Sequence, residues 1–158
     1  MPYQIEGLPV ERFAGLFGAD TAALAAQGVV RVTAQHKPGY PCRITLEDAE
    51  PGETLLLVNY EDHPVATPYR NRYAIYVREA ALAPAKLVDT LPAIFENRPI
   101  ALRAFDANGM LQNAALALAG DVDAQIKRLF ADPAIAYLQA HNAAHGCFAA
   151  RIDRAAAD

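Results

Sequence analysis

The feature that most constrains this chain is one amphipathic helix set between two hairpin signals. Within residues 121–131, Val122, Ile126, Leu129 and Phe130 recur at the i, i+4, i+7, i+8 spacing of a single helical stripe. Asp121 and Asp123 stand at its positive end and Lys127 and Arg128 near its negative end, and Asp132-Pro133 stops it. Ahead of it, the runs 100–105 and 110–117 flank Asp106-Ala107-Asn108-Gly109, where Asn-Gly supplies the positive-φ residues of a tight turn. Behind it, 135–142 and 147–154 are joined by Ala143-Ala144-His145-Gly146. Pairing about that turn sets Asn142 opposite Cys147 and His141 opposite Phe148. His141 is then expected beside Tyr137, Phe148 and Ile152, with Asn142 and Cys147 on the other face. Short alternating segments on both sides of one helix predict a single shared sheet.

The rest of the chain reads as more short elements. Pro9 opens a brief helix through Leu16, and Asp20 caps a second through Gln27, with Gly28 as its αL stop. Residues 29–35 alternate as a strand, and Lys37-Pro38-Gly39-Tyr40-Pro41-Cys42 is turn chemistry. The apolar run 55–60 and the aromatic run 73–78 are strands, and His63-Pro64 to Arg72 is a loop. Pro92 opens a short helix through Asn97. The fold class expected is α+β, a mainly antiparallel curved sheet of six to eight strands with three or four short helices. It forms a single domain over residues 1–158, with 1–30 as an N-terminal extension.

Composition removes several function classes. A net charge of −4 and a pI near 5.5 argue against nucleic acid as a partner, and Arg70, Arg72 and Arg78 are too thin a basic cluster to reverse that. The longest uninterrupted apolar run, 114–119, is far short of the ~20 residues that span a bilayer, so no membrane is expected. Residues 1–10 contain Glu6 and lack a basic start followed by an apolar run, and the two cysteines are far apart, so the expected setting is reducing and cytoplasmic. The chain has no serine, which excludes a serine nucleophile, and Gly15-Leu16-Phe17-Gly18 lacks the Lys-Ser/Thr ending of a phosphate loop.

Pro41, Cys42 and Arg43, then Leu46, the run Asp48-Ala49-Glu50-Pro51-Gly52-Glu53 and the 55–60 strand, resemble the first half of a bacterial family known only as domain of unknown function 1203. Pro68-Tyr69, the 73–78 strand, Leu102-Arg103-Ala104-Phe105-Asp106 and the run from Asn142 to Ala149 are similar to the rest of its pattern. Gly7-Leu8-Pro9, Phe13 and Leu16-Phe17 are compatible with its amino terminus. The sequence departs from that pattern at Ala144 and His145, where a basic residue such as Arg is commoner. The resemblance implies a fold and a set of recurring positions, and no activity.

Four constellations carry chemistry. Cys42, His141, His145 and Cys147 are zinc-type ligands, yet Cys42 is remote and His141-x3-His145 spans a turn, so a core histidine, an exposed histidine and two buried thiols are the simpler reading. Cys42 or Cys147 as a thiolate nucleophile requires a cationic neighbour or a helix start, plus exposure, and structural thiols are favoured. Glu47, Asp48, Glu50 and Glu53 around Pro51-Gly52 read as a solvated loop, with Asp48 singled out as a turn or cap residue. Finally, Arg43, Tyr60, Tyr69, Arg70, Arg103 and Asn142 suit a loop-lined pocket, the alternative being that Arg43 or Arg103 pairs with Asp48 or Asp106. The expected ligand site is Cys42, Arg43, Tyr60, Tyr69, Arg103, Asn142 and Cys147, taking a small anionic or aromatic metabolite without a cofactor. The competing reading is a non-catalytic protein-interaction domain or homodimer, and the sequence assigns no enzyme activity.

Overall fold

The computed structural model describes residues 1–156. Nine strands and two α-helices follow in the order β1 (Tyr3–Glu6), α1 (Thr21–Ala26), β2 (Val30–Thr33), β3 (Thr54–His63), β4 (Asn71–Arg78), β5 (Lys86–Val88), β6 (Ile100–Phe105), β7 (Leu111–Ala117), α2 (Val122–Phe130), β8 (Tyr137–Asn142) and β9 (Phe148–Arg154). They build two sheets, one six-stranded in the order β5-β1-β9-β8-β6-β7 and one three-stranded in the order β2-β3-β4. Neighbouring strands in both are antiparallel.

The two-sheet arrangement corrects the expectation of a single sheet. Strands on both sides of α2 do share the larger sheet, but β2, β3 and β4 close around a core of their own. There Leu56, Val58, Ile75 and Val77 pack with Phe13, Leu24, Ile44 and Phe148. Two further strands were not foreseen: β1 is four residues long, too short for its Tyr3/Ile5 alternation to stand out, and β5 is three. Among the described residues two of the expected helical segments are not α-helices, which leaves two α-helices beside 3-10 turns. Residues 10–16 form two successive 3-10 turns, Val10–Arg12 and Ala14–Leu16, that meet at the buried Phe13, and the segment after Pro92 is the single 3-10 turn Ala93–Phe95. None of these turns has a side-chain cap, and three residues are too few to repay helix nucleation.

Where local chemistry is strong, the structure follows it. Asp20 Oδ1 accepts the Ala23 N–H at 2.8 Å and starts α1. At the β6–β7 turn, Asp106 Oδ1 accepts the Asn108 and Met110 N–H groups at 2.8 and 3.0 Å. Gly109 sits there at φ +79°, and a Cβ on it would lie 2.8 Å from Val65 Cγ1. The α2 stripe of Val122, Ile126, Leu129 and Phe130 is buried against Leu102, Ala104, Leu138, Ala140 and Ile152 of the larger sheet. Each large side chain so buried stabilises by roughly 1.5–3 kcal/mol. The opposite side of that sheet carries Tyr137, Gln139 and His141 from β8, with Arg103 and Phe105 as cross-strand partners of Gln139 and Tyr137. That side meets the smaller sheet through Phe148 against Tyr60 and Gln139 against the Asp62 carbonyl.

The β8–β9 register corrects one expected neighbour. His141 pairs with Phe148, but a bulge then shifts the ladder so that Ala140 faces Ala150 and Leu138 faces Ile152. Ile152 therefore joins the α2 side with Leu138, and His141 keeps Phe148 as an edge-on aromatic neighbour at 6.0 Å.

Candidate functional site

The segment around Arg43 is held between two other stretches of the chain. Gly7 passes so close that a Cβ would fall 1.9 Å from the Ile44 carbonyl oxygen, the Leu8 N–H bonds the Arg43 carbonyl at 2.8 Å, and the Arg43 N–H bonds the Tyr76 carbonyl of β4 at 3.0 Å. These contacts send the Arg43 side chain toward the start of β9. Its Nε–H donates to the Phe148 carbonyl at 2.7 Å, Nη1 to the Pro41 carbonyl at 2.6 Å, and Nη2 to Cys147 Sγ at 3.1 Å. Asn142 Nδ2 approaches the same sulfur at 3.4 Å. Arg43 is 1% exposed and, among the described residues, has no carboxylate at ion-pair distance. Burial works against its charge, with the Cys147 sulfur offsetting part of that cost.

Arg43, Asn142 and Cys147 line a cleft of about 480 Å³ between the smaller sheet and the β8–β9 turn. Pro41, Leu57, Tyr73, Tyr76 and Pro99 give it apolar and aromatic walls, and the exposed His145 stands at the rim. Arg98 borders it too, but its charge is matched: Nη1 and Nη2 donate to Asp48 Oδ2 and Oδ1 at 2.8 and 2.6 Å. Although burial opposes the charge on Asp48, Arg98 and the Gly39 N–H at 3.1 Å hold its carboxyl below the usual range. Asp48 is thus a buried anchor of the turn, in an acidic run that the sequence reads as solvated. The alternative partnering for the arginines does not occur: Asp48 takes Arg98, and Asp106 takes the Asn108 and Met110 N–H groups and Gln112.

The other expected site residues lie elsewhere. Cys42 is fully buried, and its sulfur lies 3.3–3.5 Å from the backbone N–H groups of Arg78, Ile44 and Thr45. Tyr60 packs between Phe13 and Phe148 with the Arg12 guanidinium 5.3 Å from its ring centre. Tyr69 and Arg103 border a second cleft of about 300 Å³. The set Cys42, His141, His145 and Cys147 does not assemble, and among the described residues no group of three or more His, Cys, Asp or Glu side chains could hold a metal ion.

Three buried polar residues behind the second cleft escaped the sequence reading. β3 runs on through Asp62 to His63, the residue at which the loop is expected to start, and a bulge between Glu61 and His63 leaves Asp62 as the extra residue. Its Oδ1 accepts from Asn71 Nδ2 at 2.7 Å, while its Oδ2 is buried without a hydrogen-bond partner. Burial raises the Asp62 carboxyl above its ordinary range. His63 bridges the Tyr69 carbonyl at 2.9 Å and the Tyr137 hydroxyl at 2.7 Å, and Gln139 Nε2 donates to the Asp62 carbonyl at 2.8 Å. His141 sits 3.0 Å from Gln139 Oε1, 3.1 Å from the Gly146 carbonyl and 3.9 Å from Asp62 Oδ2. Burial first, then the Arg103 charge, takes its imidazole down to about 4. The alternation Tyr137-x-Gln139-x-His141 was the signal that could have found Gln139.

A family model described as a protein of unknown function, DUF1203, matches residues 39–154, a span that holds both clefts and excludes β1, α1 and β2. No curated protein and no solved structure matches the chain.

Proposed function

The chain belongs to the DUF1203 family, and from that premise we propose that its larger cleft binds a small anion with an aromatic or apolar body. One observation carries this: Arg43 is a buried cation without a carboxylate partner among the described residues, set in the floor of an aromatic-walled cleft. Taking a guanidinium out of water costs several kcal/mol unless a counter-charge is supplied. Carbonyl oxygens and one sulfur stand in for it here, using three of the five N–H donors a guanidinium carries. An oxyanion entering beside Cys147 and Asn142 completes the pairing, and Tyr73 and Tyr76 flank the body that carries it.

The test is thermal unfolding with benzoate and with inorganic phosphate. Binding to the native state raises the midpoint, by the equivalent of about 2.7 kcal/mol at a hundredfold excess over Kd. Asn142→Ala and Tyr73→Ala are expected to reduce the rise, and Tyr73 is 53% exposed, so its truncation spares the core. No rise with any anion removes the reading.

A second reading, association with a copy of the same chain, draws support from β7. This edge strand of the larger sheet has seven residues, none charged and none proline, with Leu116 and the following Leu118 exposed. Light scattering across a concentration series tests it: a strictly monomeric protein ends it, and a dimer abolished by Leu116→Lys supports it.

A further inference from the structure

The second cleft lies between the connection preceding β4 and strands β6, β7 and β8, and its chemistry is independent of Arg43. Two arginines border it. Arg70 is held by Glu61, with Nε–Oε2 at 3.0 Å. Arg103 is half-buried and, among the described residues, has no carboxylate within ion-pair distance; its side-chain contact is Nη1 at 3.5 Å from His141 Nε2, beyond a good hydrogen bond. The carboxyl that shares its layer, Asp62, is turned to Asn71 through Oδ1 and leaves Oδ2 unpartnered. A cation and a buried acceptor thus stand unmatched in one layer, where buried polar groups are ordinarily paired.

We propose that this cleft is a second ligand site, separate from the Arg43 cleft, and that it takes a small monocarboxylate. The planar guanidinium of Arg103 suits a carboxylate, and Gln139 beside it offers the N–H not used on the Asp62 carbonyl. Phe105, Leu111 and Tyr69 give the remaining wall an apolar character that suits a short hydrocarbon chain. A volume of about 300 Å³ limits that chain to a few carbons. Asp62 disfavours a dianion, since a second negative charge would meet the carboxyl in the same layer, so a phosphate group fits less well. The bulge that re-aims Asp62 lies beside the cleft, where such irregularities commonly serve a site.

The experiment is a ¹H–¹⁵N titration of the full chain that follows the Arg103 Nε–H and the Gln139 side-chain amide, with propionate and inorganic phosphate as separate probes. Propionate is expected to shift both signals saturably, and more tightly than phosphate. Arg103→Gln is expected to weaken propionate binding about tenfold or more, the loss of a charge-assisted pair. Leu111→Asp, which puts a competing carboxylate at the cleft wall, is expected to do the same with Arg103 still in place, which covers the case in which Arg103→Gln fails to fold. Asn142→Ala is expected to leave this titration unchanged, so failure of the Arg43 cleft is distinguishable from failure here. No saturable propionate shift, unchanged affinity in Leu111→Asp, or tighter binding of phosphate overturns the proposal.

Discussion

The two sides of the six-stranded sheet are made by the same strands and differ in almost every other respect. Toward α2, β8 contributes Leu138 and Ala140, which pack with Leu102, Ala104, Ile152 and the helix stripe. Toward the smaller sheet, the alternate residues Tyr137, Gln139 and His141 meet Asp62, His63 and Arg103. A period of two lets one strand serve both. The apolar side needs no partner beyond the protein. The polar side holds buried groups whose charges the described residues leave partly unmatched, and both clefts open from it or its margin. Apolar burial is therefore concentrated on one side, and the buried polar groups and the clefts on the other.

The largest effects belong to the apolar side. Leu138→Ala is expected to cost about 2–5 kcal/mol in urea unfolding, because it opens a cavity under α2. Gln139→Ala, one residue on and also buried, is expected to cost less, about 1–2 kcal/mol, the loss of its bonds to the Asp62 carbonyl and to His141. Equal losses at the two positions would erase the division between the sides.

Next in size is a pH effect confined to the polar side. The His141 imidazole is lowered from 6.5 to about 4 by burial and by the Arg103 charge, with His63 and Arg43 acting in the same direction and the Gly146 carbonyl against them. Between those values the unfolded chain binds a proton that the folded chain refuses, so stability falls as pH drops from 6.5 toward 4, by up to about 3 kcal/mol. His141→Gln is expected to flatten that window in a series of denaturant curves. A wild-type midpoint that stays constant across it shows that Asp62 Oδ2, 3.9 Å away, compensates the imidazolium instead.

Much of the apolar side was legible in the sequence and little of the polar side was. The α2 stripe, and elsewhere in the fold the Asp20 cap and the turn at Asp106–Gly109, rest on residues a few positions apart, so each could be read where it stands. Arg43, Asn142 and Cys147 were expected together, and the structure brings those three to one cleft. Splitting Tyr69 and Arg103 into another cleft required knowing that β2, β3 and β4 leave the main sheet, which is a matter of non-local pairing. His63-Pro64 reads as a loop start by its proline, yet β3 runs to His63 because Asn71 pairs with it across the bulge. The β8–β9 bulge moved Ile152 by one position, and with a period of two that changes its side of the sheet.

Two aspartates sharpen the comparison at intermediate size. Asp48 is buried beside a bidentate Arg98, and its lowered carboxyl contributes stability above the unfolded value of 3.8 that is lost as pH falls through the folded one. Asp48→Asn is expected to cost about 2 kcal/mol at neutral pH. Asp62 is the reverse case. Its carboxyl is raised, chiefly by burial, so ionisation weakens the fold as pH climbs from 3.8 past the folded value. Asp62→Asn is expected to leave neutral-pH stability unchanged or higher, and a loss as large as that of Asp48→Asn would mean that Asp62 is paired in solution.

The smallest effect concerns the two thiols, and it needs no change in stability to be seen. Cys42 is fully enclosed, with three backbone N–H groups around its sulfur, whereas Cys147 is 9% exposed and borders the larger cleft. Iodoacetamide reaches a buried sulfur only through opening of the fold, and one at a cleft wall from the native state. Native protein is therefore expected to label at Cys147 well before Cys42, as peptide mass spectrometry would read it. If an anion occupies the space beside Arg43, benzoate should slow labelling of Cys147 and leave the slow labelling of Cys42 to follow stability alone. Equal protection of both thiols would mean that benzoate tightens the whole fold without occupying the cleft, and equal rates without it would mean that Cys147 is no more accessible than Cys42.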